Sequence, residues 1–99
     1  TIAASAHLPC APALSGIYDF TGGEAAYAQH MAHWLAASPA GTVLMCHPGG
    51  APAAGDAPDP IATARQWEWA HLAGPAFAAQ CATAGVERVR GRALYPARF

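Results

Sequence analysis

The stretch Thr42-Val43-Leu44-Met45-Cys46-His47-Pro48-Gly49-Gly50 decides the fold. An apolar run, β-branched at its start, stops abruptly at a histidine, a proline and two glycines. Consecutive apolar residues, without alternation, predict a strand over 42–46 that is covered on both faces, as in a parallel sheet. Pro48 cannot continue a ladder, and Gly49-Gly50 lets the chain turn where a side chain would clash. In α/β folds, ligands and catalytic groups gather on the loops that follow the carboxyl ends of strands. His47 is therefore the first candidate for chemistry.

Upstream, the spacing of Tyr27, Met31, Trp34 and Leu35 at i, i+4, i+7 and i+8 predicts a helix over 24–37 with one apolar stripe. Ser38-Pro39-Ala40-Gly41 ends it just before the strand. Further upstream, Gly16-Ile17-Tyr18-Asp19-Phe20 predicts a short extended piece that turns at Thr21-Gly22-Gly23. Downstream, residues 48–60 hold four prolines and three glycines and predict a long loop beside His47. Asp59-Pro60 predicts a helix start, with the carboxylate as cap and proline at the first helical position. That helix runs to about Ala73. Gly74-Pro75 breaks it and starts another, in which Phe77, Cys81 and Ala84 share a face and Gly85 ends the run. Val86 to Val89 predicts a short last strand. Residues 1–14 and 92–99 read as loop or tail, and neither a repeat nor a second domain is visible.

Composition bounds the function. The chain is 54% hydrophobic, but half of that fraction is its 27 alanines, which favour helix and bury little area each. The core of this single, partial domain over 1–99 therefore rests on few large side chains. A net charge of −1 gives no general field for nucleic acid or an anionic membrane, although Arg88, Arg90, Arg92 and Arg98 make the last dozen residues basic. Cys10, Cys46 and Cys81 are odd in number and widely spaced, which predicts neither a disulfide framework nor a zinc ribbon, and favours a reduced, cytoplasmic setting. The N-terminus shows no positive segment followed by an apolar core, so neither a signal peptide nor a membrane span is predicted.

Imidazole titrates near neutrality, so His47 suits a general acid or base, and its neutral form also suits a metal. Arg65 and Glu68 lie on the side of their helix that carries Ile61 and Leu72, which points a charged pair inward; if Ala64, Trp67 and His71 form the buried face instead, the pair is a solvated i,i+3 contact. Asp59 is a helix cap first and a ligand second. His30 and His33 have a spacing that can hold a metal, but they sit off the apolar stripe with no third ligand, which predicts exposure. His7 and His71 have no evident partner, and Cys46 is expected to be a buried, inert thiol.

Taken together, Ser15-Gly16-Ile17-Tyr18-Asp19-Phe20, then Val43-Leu44-Met45-Cys46-His47-Pro48-Gly49, then Asp59-Pro60-Ile61 with Arg65-x-x-Glu68 and Leu72, resemble the C-terminal part of the YdjC-like carbohydrate deacetylases, the ChbG/HpnK family. The resemblance covers about residues 15–90. It implies an α/β fold, the C-terminal portion of a distorted (β/α) barrel left incomplete in this chain. It implies hydrolysis of the N-acetyl group of an amino sugar, chitooligosaccharide-like or hopanoid-linked, with a divalent metal such as magnesium or zinc as cofactor. His47 matches the family's C-terminal active-site histidine and takes the role of general acid; Arg65 and Glu68 match the flanking helix and take that of an orienting pair. The family's metal-binding Asp-Asp and histidine-rich segments have no counterpart in residues 1–14. No metal ligand is therefore identified in this chain, and a C-terminal fragment is expected, inactive alone and prone to form homo-oligomers. The competing expectation is a non-catalytic α/β remnant or interaction module.

Overall fold

Residues 12–91 are described by a computed structural model. They form a mixed α/β unit in the order β1 (Leu14–Ser15), α1 (Gly23–Ala37), β2 (Val43–Leu44), α2 (Ala62–Ala73) and α3 (Pro75–Ala84). The two strands pair in parallel, Leu14 with Val43 and Ser15 with Leu44, and α1 is the crossover between them. A parallel pair needs such a crossover, because no tight turn can bring the second strand back in the same direction.

Gly16 explains why the strands meet where they do. It is buried with φ at +96°, and a Cβ there would collide with the backbone oxygen and nitrogen of Met45. Only glycine permits that approach. Just before it the ladder closes, with the Val43 amide donating to the Ala13 carbonyl at 3.1 Å and the Met45 amide to the Ser15 carbonyl at 2.8 Å.

Helix α1 begins one residue before the predicted start, and its Tyr27 and Met31 are buried as the stripe requires. Pro39 disfavours helical geometry at the residue before it, so Ser38 is extended and its amide donates back to the Trp34 carbonyl. Helix α2 starts at Ala62, two residues later than expected, because the Asp59 carboxylate bonds the Ile61 amide and holds Pro60 and Ile61 in a turn. Gly74-Pro75 separates α2 from α3 as predicted. Helix α3 closes on left-handed Gly85, whose amide reaches the Ala82 carbonyl while that of Val86 reaches Cys81. This pair of bonds is the glycine stop that satisfies a helix's last carbonyls.

Three expectations need correction. Residues 86–89 form no strand: the glycine stop turns the chain, Arg88 stacks over the Phe77 ring at 5.3 Å and Val89 is about half exposed. The extended piece lies at Leu14–Ser15 rather than at 16–20, because left-handed Gly16 ends the pairing. The strand predicted over 42–46 is confined to Val43–Leu44 and is covered on one face only. Leu14, Ile17, Val43 and Met45 are exposed by 51%, 69%, 48% and 39%. Residues 1–11 and 92–99, including His7, Cys10, Arg92 and Arg98, lie outside the described residues.

The core sits between the helices: Tyr27 and Met31 from α1, Ala64, Glu68 and His71 from α2, and Cys81 from α3. The two candidate faces of α2 were not alternatives. Its buried stripe runs between them through Ala64, Glu68 and His71.

Candidate active site

Helix α2 carries Glu68 into the space below the end of β2, where its side chain is removed from solvent. Burying a carboxylate is costly unless donors surround it. Three do. Tyr18, from the segment after β1, donates its hydroxyl to Oε2 at 2.8 Å, Tyr27 of α1 donates to Oε1 at 3.4 Å, and the His47 backbone amide donates to Oε1 at 2.6 Å. Glu68 therefore ties three segments together, and the one reaching it through its backbone is the candidate acid.

The carboxylate also faces the imidazole. His47 Nδ1 lies 3.8 Å from Glu68 Oε2, buried and without a hydrogen-bond partner among the described residues. The His47 side chain keeps 25% of its surface accessible, so part of the ring reaches solvent while Nδ1 is turned inward. A carboxylate behind an imidazole orients the ring. Such contacts are commonly long before substrate binds.

Arg65 acts on the other end of the same residue's backbone. Its Nη1 donates to the His47 carbonyl at 3.4 Å, and its carbonyl accepts from the Gly49 amide at 3.1 Å. A Cβ at Gly49 would press on the Arg65 side chain at 3.3 Å, which gives the Pro48-Gly49 turn its reason. Arg65 is paired with Asp59 through Nε at 2.6 Å. Arg65 and Glu68 thus hold His47 from opposite sides of its backbone instead of bonding each other. The Asp59 carboxyl, bonded by Arg65 and by the Ile61 amide, is held below the usual carboxylate range.

Aromatic rings complete the surroundings. Burial and the hydrogen bond to Glu68 push the Tyr18 phenol well above its ordinary range; burial, with Cys46 and the Glu68 charge beside it, does the same for Tyr27. Cys46, expected to be buried, is half-buried, and what burial it has pushes its thiol up. The Phe20 and His47 rings are perpendicular, with centroids 5.2 Å apart and planes at 86°, and the Phe20 backbone is left-handed at φ +60°. A bulky residue in that conformation is strained by roughly 1–2 kcal/mol.

His30 and His33 are exposed, as their place off the stripe predicts, and His30 stacks on Trp34. His71 does have a partner: its Nε2 meets Gln80 Oε1 at 2.7 Å, while Gln80 Nε2 donates to the Ala28 carbonyl, linking all three helices. Periodicity within α2 carried no sign of that contact, because Gln80 belongs to another helix. Tyr18 and Phe20 were likewise missed as site residues, although their closeness to the strand that pairs with β2 was a usable signal. Among the described residues no group of three or more His, Cys, Asp or Glu could hold a metal ion, so the divalent ion implied by the resemblance finds no ligand set there.

No protein-family model matches the chain, and neither the curated proteins nor the solved structures searched contain a match to it. No helix among the described residues is long and apolar enough to cross a membrane.

Proposed function

We propose that these residues are the acid-bearing part of a metal-dependent carbohydrate deacetylase, a section of a distorted (β/α) barrel, with His47 as general acid. The observation that carries the reading is the buried Glu68 carboxylate, bonded to the His47 amide at 2.6 Å and facing Nδ1 of its partly exposed ring at 3.8 Å. Amide hydrolysis forms a bond from water oxygen to the acetyl carbon and breaks the bond to the sugar nitrogen. The departing nitrogen needs a proton, which the accessible side of a protonated His47 supplies; the ring is reprotonated from water. Glu68 holds the ring and backbone of His47 from behind, and Arg65 fixes the His47 carbonyl. The ligands of the divalent ion, which polarises the acetyl carbonyl and activates water, belong in this reading to a part of the enzyme that these residues do not contain.

The test is made in the complete enzyme. His47→Ala lowers turnover roughly 10²–10⁴-fold while bound metal stays stoichiometric, since general acid catalysis is typically worth that much. Loss of the metal from that variant would make His47 a ligand instead. Metal-dependent acetate release from chitobiose by the 99-residue chain alone, as a purified monomer, would overturn the assignment to a partial site.

A second reading, a non-catalytic interaction module, draws on the exposed sheet face and on an open groove of about 960 Å³ beside β2, lined by Leu35, Leu44, Leu72, Phe77 and Val86 among others.

A further inference from the structure

The conformation of Phe20 is not one that packing alone selects. Its backbone is left-handed at φ +60°, a region bulky residues avoid, yet its ring stays partly exposed. The turn around it is tightly specified. The Asp19 carboxylate accepts from both the amide and the hydroxyl of Thr21, and Gly22 and Gly23 follow with φ at +98° and +83°. The ring is held tilted against Tyr18, with centroids 4.8 Å apart, and perpendicular to His47 at 5.2 Å. Strain kept at a bulky residue beside a candidate acid marks a side chain placed for a ligand.

We infer that Phe20 is a stacking platform for the pyranose ring of the substrate, and so a specificity-determining residue of the His47 site. The inference rests on the deacetylase reading for its ligand class. A β-linked glucosamine ring has one face of axial C–H bonds, apolar and slightly positive, which complements the negative face of an aromatic ring. Its acetamido group is equatorial and extends outward in the plane of the sugar, away from the stacked face. A sugar lying on Phe20 therefore has its hydroxyls and its acetamido group free for other partners, while His47 stands one ring's width from the platform. Tyr18 supports Phe20 from beside it and bonds Glu68, so the platform and the acid share one brace.

Saturation-transfer NMR tests this with chitobiose and the 99-residue chain, irradiating the aromatic protons. The wild type transfers saturation to H1, H3 and H5 of the sugar. Phe20→Leu reduces the transfer about tenfold, a loss in line with one aromatic contact, and Phe20→Trp keeps it. Phe20→Asn, which tolerates the left-handed backbone without supplying a ring, behaves as Phe20→Leu does, so misfolding of one variant leaves the other to decide. Absence of transfer in the wild type, or equal transfer in the ringless variants, overturns the platform. Sugar contact that depends on Phe20, without acetate release by the complete enzyme, defeats the deacetylase reading and leaves the platform standing. Acetate release with unchanged KM in Phe20→Leu does the opposite.

Discussion

Behind His47 a carboxylate is sealed from water and fully engaged, whereas on the outer face of the two-stranded sheet Leu14, Val43 and Met45 stand exposed to it. Both regions hang on β1 and β2, and they face opposite ways. The Glu68 side is complete: each buried donor and acceptor there, His47 Nδ1 excepted, finds its partner within the described residues. The Leu14, Val43 and Met45 side is not, since parallel strands are normally covered on both faces. The contrast teaches that the described residues suffice to build the polar interior of the candidate site, while among them nothing closes the outer face of the sheet.

The largest effect expected from breaking the first region is that of Glu68→Ala. It strands the Tyr18 and Tyr27 hydroxyls and the His47 amide without an acceptor, and removing one member of such a network costs about 3–5 kcal/mol. In a domain with so small a core this amounts to global unfolding, seen as loss of a cooperative urea transition. Glu68→Gln keeps the shape and one acceptor oxygen and loses less stability, about 1–3 kcal/mol. On the proposed reading, turnover of the complete enzyme falls by more than this stability loss accounts for, and an unchanged turnover would detach Glu68 from catalysis.

High pH probes the same region with a smaller effect. The Tyr18 and Tyr27 phenols are raised in the folded state above the ordinary value of 10.0. Their contribution to stability is therefore full below that value and is lost as pH climbs beyond it, because the unfolded chain gives up these protons first. A phenolate absorbance titration shows the two tyrosines ionising only together with unfolding, and Tyr18→Phe or Tyr27→Phe removes part of that late step. Independent ionisation near pH 10 with the fold intact would show that neither phenol is held.

The smallest effect on stability belongs to the other region. Leu14→Lys on the open face changes the unfolding free energy by no more than about 0.5 kcal/mol, as for most surface substitutions. It lowers self-association measured by sedimentation, because an exposed apolar sheet face promotes contact between chains. A large destabilisation by Leu14→Lys would mean that this face is already packed.

What was legible in the sequence follows the range over which each signal acts. Helix α1, the Gly74-Pro75 break and the Gly85 stop were readable because their causes are local: a stripe, a ring that fixes φ, a residue free to turn left-handed. The loop after Pro48 was readable for the same reason, although β2 itself stops at Leu44, short of the predicted Cys46. The role of Glu68 was only half readable. Helical spacing placed it beside Arg65 and suggested a pair, but its partners are Tyr18, Tyr27 and the His47 amide, all contributed by other segments. The brevity of both strands was not readable either, since Gly16 limits them through a backbone contact across the sheet that no pattern within one segment reveals.

The partners of Glu68 lie 50, 41 and 21 residues away along the chain. None of them can be delivered by local structure, so the carboxylate keeps its water until the segment after β1, helix α1 and the end of β2 have all docked on α2. Closing such long loops costs chain entropy before the contact returns anything, which makes contacts of this kind slow to form. The network around Glu68 is therefore a demand for convergence: three distant segments have to reach one helix before its carboxylate can leave water.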